Sequence, residues 1–94
     1  GEAMPYPIIF TESYTRQAER FLKRHPDLLG VYGKTLQLLE VNPSHPSLRL
    51  HKLKGRLKEL YSVSVTLSCR ITLSFTIIEG SIVLIDVGAH DEVY

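Results

Sequence analysis

From Tyr61 to Ile77 the chain alternates without a break. Tyr61, Val63, Val65, Leu67, Cys69, Ile71, Leu73, Phe75 and Ile77 are apolar, and every residue between them is Ser, Thr or Arg. Period two is the strand period, so this stretch must present one apolar face and one polar face. A single straight strand of that length would span roughly 55 Å at ~3.3 Å per residue. A domain of this size has a radius of gyration of only about 12 Å, so the stretch folds back on itself. The turn is expected near Thr66 to Ser68, although no Gly, Pro or Asn marks it. Glu79-Gly80 supplies a second turn, because glycine takes positive φ at no steric cost. Ile82 to Val87 is then the last long strand.

Upstream, Tyr6 to Phe10 is short, apolar and preceded by Pro5, which reads as an edge strand. Thr11 or Ser13 can cap the helix that follows. Tyr14, Ala18, Phe21 and Leu22 fall on one face of it, and Arg16, Arg20, Lys23 and Arg24 on the other. Pro26 ends it by His25. Asp27 is the expected cap of a second helix that closes near Asn42-Pro43. Leu28, Tyr32, Leu36 and Leu39 form its buried stripe, widened by Leu29, Val31 and Leu38. Gly30 and Gly33 either allow close helix approach or weaken the helix by about 1 kcal/mol each. The expected order is β-α-α-β-β-β, an α+β fold. Its antiparallel sheet carries an N-terminal α-hairpin on the apolar face and leaves the Ser/Thr face for water or a partner.

Ninety-four residues fit one domain, 1–94, with Gly1-Glu2-Ala3 ahead of Met4 read as a cloning remnant. The net charge of +1 names no partner. Its distribution is more telling: Arg49, His51, Lys52, Lys54, Arg56 and Lys58 follow one another with no acidic residue between Glu40 and Glu59. Such a segment is either a phosphate-facing patch or a solvated edge. One cysteine forms no internal disulfide, and a reducing, cytoplasmic setting is expected. By parity Cys69 belongs to the core rather than to a nucleophile's position. No apolar run approaches the ~20 residues of a membrane helix. The histidines and the cysteine lack metal-ligand spacing, so neither a metal nor another cofactor is expected.

Three local patterns on this element plan resemble the RelE/ParE toxin superfamily, and within it the RelE and YafQ-type messenger-RNA interferases. Leu50-His51-Lys52-Leu53-Lys54-Gly55 looks like the Leu-x-Gly segment entering the sheet. Cys69-Arg70-Ile71-Thr72-Leu73 looks like the strand start that carries an arginine. Gly88-Ala89-His90-Asp91-Glu92-Val93-Tyr94 resembles the YafQ-type end, with an aromatic four residues after the histidine. The resemblance implies a RelE-like fold and the toxin of a toxin–antitoxin pair. Its activity would be metal-independent cleavage of ribosome-bound messenger RNA, by attack of a 2′-hydroxyl on its own phosphodiester. Its partners would be a cognate antitoxin, the ribosome and the message.

Carried over residue by residue, the resemblance places His51, Arg70 and His90 in catalysis, as base, phosphate-binding cation and acid. Lys52, Lys54, Arg56 and Lys58 would hold RNA backbone, and Tyr94 would stack on a base. A second histidine and an aspartate of the YafQ type fall on Ser64 and Ser68, a departure from the pattern. Each assignment has a plainer alternative: a terminal histidine paired with Asp91 or Glu92, a cross-strand ion pair at Arg70, a strand-edge histidine at 51. The basic stripe of the first helix is a solvated face, or a surface for acidic antitoxin residues. Two other functions share the architecture, a ParE-like non-enzymatic inhibitor of DNA gyrase and an inactive relative that only binds its antitoxin.

Overall fold

A computed structural model describes residues 6–53, 60–76 and 80–89, with the backbone alone for 75 and 76. The order is β1 (Ile8–Phe10), α1 (Glu12–Arg24), a 3-10 turn at Pro26–Leu28, α2 (Leu29–Val41), a second 3-10 turn at Pro46–Leu48, β2 (His51–Lys52), β3 (Tyr61–Ser64), β4 (Cys69–Thr76) and β5 (Ser81–Ala89). The five strands form one sheet in the order β1-β5-β4-β3-β2. β1 runs parallel to β5 and every other pair is antiparallel. This is the expected α+β plan with one strand added and one correction: the sheet is mixed rather than antiparallel, because no hairpin joins β1 to β5 to make them run oppositely. β2 pairs His51 with Ser62 and Lys52 with Tyr61, and two residues are too few to show a period. None of the described helices is long and apolar enough to cross a membrane.

Local chemistry accounts for the element ends. Thr11 is extended and its side chain accepts the Tyr14 N–H at 3.1 Å, so Thr11 caps α1. The His25 N–H closes the helix on the Phe21 and Leu22 carbonyls, one residue before Pro26. Asp27 does not cap α2 as expected. Pro26, with its φ preset, draws Asp27 into the 3-10 turn, and Leu28 stands at the helix start with no side-chain bond. Leu29 is exposed rather than part of the buried stripe. A Cβ at Gly30 or Gly33 would meet nothing within 4 Å, so neither serves close packing and both simply weaken the helix. The β3–β4 turn, which no glycine marks, is built by Thr66, whose Oγ1 accepts the Ser68 and Cys69 N–H groups at 3.3 and 3.1 Å. Leu67 sits at its tip, 85% exposed despite its apolar parity.

The core lies between the helices and one face of the sheet. Tyr14, Ala18 and Phe21 of α1 and Tyr32 and Leu39 of α2 meet Val63, Ile71, Leu73, Ile82, Leu84 and Val87. Buried inside it, the Tyr14 and Tyr32 hydroxyls share a hydrogen bond of 2.6 Å. Cys69 is buried there as well.

The register of β4 with β5 slips once. Thr72 faces Asp86, but Leu73 faces Leu84, so Ile85 is an extra residue and β5 bulges there. The bulge lets both Leu84 and Val87 reach the core and turns Asp86 to the opposite face. β1 ends at Phe10, opposite Leu84, and among the described residues no strand pairs with the rest of β5 on that side. Gln17 of α1 fills the place: its Oε1 accepts the Val87 N–H at 3.0 Å and its Nε2 donates to the Val87 carbonyl.

Gln17→Ala should therefore destabilise the fold by about 1–3 kcal/mol, since it strands the buried Val87 carbonyl and leaves the Val87 N–H only the Asp86 side chain. The midpoint of urea unfolding reads this, and an unchanged midpoint refutes the clasp.

The fold should also weaken in alkali. Burial raises the Tyr14 phenol well above its ordinary range, aided by the Tyr32 hydrogen bond; burial raises Tyr32 too, and pushes the Cys69 thiol up to about 11. The folded chain then holds protons that the unfolded chain releases. The thiol's contribution is intact below about pH 9 and lost as pH rises through about 11. Thermal melts across this window should fall steadily, and less steeply in a Cys69→Ala variant.

Candidate functional site

The site grows from the face of the sheet that the helices do not cover. Cross-strand partners share a face, so the register lays out two rows there. One runs His51, Ser62, Thr72, Asp86 across β2, β3, β4 and β5; the next runs Ser64, Arg70, Gly88. Arg70 Nη1 donates to Ser64 Oγ at 3.0 Å. Gly88 adds no side chain on its other flank.

His51 is exposed on β2, and its Nδ1 lies 3.2 Å from the Arg49 carbonyl. A carbonyl only accepts, so Nδ1 is the donor in that contact. Arg49 itself adopts the left-handed backbone conformation, φ 49°, unusual for a side chain of this size. It closes the 3-10 turn and sets the direction of β2. His51 and Arg70 lie two strands apart, about 10 Å across the sheet.

The two rows are less open than the Ser/Thr pattern predicts. Ser62 is fully buried and Thr72 is 4% exposed, while Ser64 and Arg70 are half-buried. Leu53, two residues beyond His51 and on its face, is 6% exposed yet stands outside the main core. Thr72 Oγ1 is buried with no hydrogen-bond partner among the described residues.

Of the residues singled out from sequence, the fold brings His51 and Arg70 to one face. Lys52 falls on the opposite parity, paired with Tyr61, and does not join them. Lys54, Arg56, Lys58, His90 and Tyr94 lie outside the described residues. Ser68 is exposed at the β3–β4 turn, away from Ser64. Asp86 was missed. Its Oδ1 accepts the Val87 N–H at 3.1 Å, and it stands beside Thr72. The sequence does carry a signal for it. After Ile82 and Leu84, an aspartate in the next apolar position breaks the parity, and Val87 resumes it one residue late. A charge where the pattern demands a core residue is the mark of a bulge.

On the helical side, Gln17, Arg20, Lys23 and Arg24 line a cleft of about 530 Å³. Arg16 is tied instead to Glu12, at 2.6 Å. Among the described residues no three His, Cys, Asp or Glu side chains gather to hold a metal ion.

An open sheet with an α-hairpin on one face and an arginine-bearing central strand is the RelE-like fold. Three solved structures share it with this chain. A metal-bound toxin from Helicobacter pylori is 21% identical, with a TM-score of 0.75 over 95% of this chain and 99% of that one. A YafQ variant from E. coli is 18% identical, with a TM-score of 0.74 over 95% and 98%. A YoeB–YefM complex from Staphylococcus aureus is 16% identical, with a TM-score of 0.69 over 90% and 97%. No family model and no curated protein matches the sequence.

Thr72→Val should stabilise the protein by about 1 kcal/mol, because it keeps the shape and removes a buried hydroxyl that has no partner among the described residues. A loss of stability in chemical denaturation would mean that this hydroxyl has a partner after all.

Proposed function

We propose that this chain is the toxin of a toxin–antitoxin pair and cleaves messenger RNA on the ribosome without a metal. The observation that carries the reading is Arg70, held by Ser64 on the same face as His51. A planar guanidinium fixed by a hydroxyl suits a phosphate that gains charge in the transition state. In the proposed step His51 Nε2 takes the proton of a ribose 2′-hydroxyl. The 2′-oxygen bonds to phosphorus, the bond from phosphorus to the 5′-oxygen breaks, and His90 returns a proton to that leaving oxygen. The products are a 2′,3′-cyclic phosphate and a 5′-hydroxyl end. Lys54, Arg56 and Lys58 would contribute charge along the RNA path, and Tyr94 a ring for stacking.

The antitoxin is the second partner. The structurally similar YoeB is seen with YefM. In this chain the cleft of Gln17, Arg20, Lys23 and Arg24 offers acidic antitoxin residues a cationic seat.

Purified protein added to translating ribosomes should produce new message ends within the A site by primer extension. His90→Ala should abolish them without lowering the melting temperature. Arg70→Lys should lose most of the activity, since an ammonium cannot reproduce the fork. Near-normal turnover in that variant would make Arg70 a structural residue. Intact message with the wild type would refute the nuclease and send the protein to a gyrase supercoiling assay.

A further inference from the structure

A small cleft adjoins the candidate site where α2 passes the end of β3. Val31 and Leu38 of α2, Leu48 of the second 3-10 turn, and Val65 give it aliphatic walls; Lys34 supplies its charge, and Ser64 lines it at the end of β3. Its volume is about 220 Å³. That is below the roughly 300–1,000 Å³ of sites for drug-sized ligands and suits one flat ring system. Lys34 is exposed.

Ser64 joins the cleft to the site. The residue that accepts the Arg70 hydrogen bond at 3.0 Å is also a wall of the cleft. A phosphate on Arg70 and a ring in the cleft would stand on either side of one side chain, the scale of a single nucleotide. We propose that the cleft seats one base of the bound RNA, its faces against the aliphatic walls and an acceptor-bearing edge toward Lys34. An ammonium donates and never accepts. It therefore favours guanine, whose O6 and N7 both accept, over cytosine, whose corresponding edge donates. The identity of the ligand rests on the ribonuclease reading above. An apolar side chain of a partner protein would fill the same walls, but would gain nothing from Lys34.

The test uses the full chain and two trinucleotides with 2′-O-methyl sugars, A-G-A and A-C-A, which cannot be cleaved. Titration is followed by amide NMR. A-G-A should shift the amides of Lys34, Leu38 and Val65 together with that of Arg70, and should bind about tenfold more tightly than A-C-A, the worth of one well-made base contact. Lys34→Glu should erase or reverse that preference. Leu38→Trp, which fills the cleft, should weaken both ligands about tenfold. If it fails to fold, the exposed Lys34 variant decides alone. Shifts confined to the strands, no shifts at all, or a preference untouched by Lys34→Glu each overturn the proposal. Primer extension on the same protein separates the two ideas. Cut message without cleft shifts removes the base seat and leaves the nuclease, whereas cleft shifts with intact message do the reverse.

Discussion

A single extra residue in β5 decides which side chains this sheet can offer to each side. Without the bulge at Ile85, strict alternation after Leu84 would drive Asp86 into the core and turn Val87 away from it. An ionised carboxylate there would be unpaired in an apolar interior, at a cost that no hydrogen bond nearby offsets. The bulge resolves the conflict by placing Ile85 and Asp86 together opposite Thr72. Leu84 and Val87 can then both be fully buried. The rows that carry His51 and Arg70 keep their alignment on β5 because the slip falls between Thr72 and Leu73, short of the Arg70–Gly88 pair. Core packing and site layout are thus settled by the same backbone irregularity.

The long strands were legible because each has enough residues to show its period and one dry face to enforce it. The β3–β4 turn was also placeable from length alone, since a chain this compact cannot hold so long a strand. Its chemistry was not, because Thr66 builds it with a side-chain oxygen where a turn is usually read from Gly, Pro or Asn. Asp27 misled for a related reason. A capping residue next to a proline can be captured by a short 3-10 turn before the helix begins. β2 escaped notice because pairing, not pattern, makes two residues a strand.

The candidate site was legible as residue types and only partly as geometry. His51 and Arg70 were found through a resemblance to known toxins, and the sheet register does bring them to one face. Lys52 was grouped with His51 by its position in a basic segment, yet adjacent residues in a strand point to opposite sides. The departure at Ser64 takes on a different meaning in three dimensions. A serine in a histidine's place reads as a loss in one dimension, but here its hydroxyl fixes the guanidinium. The buried state of Ser62 and Thr72 was beyond sequence reasoning, since alternation reports parity and says nothing of what stands over a face.

Gln17 has a consequence outside this molecule's own stability. A strand whose backbone N–H and carbonyl face outward is a template on which a second chain can pair. β1 is only three residues long, and the stretch of β5 beyond it would present such a template. By occupying both groups of Val87 with an amide that imitates a peptide unit, α1 closes that edge from within. The helix thereby acts as a guard against strand exchange between copies.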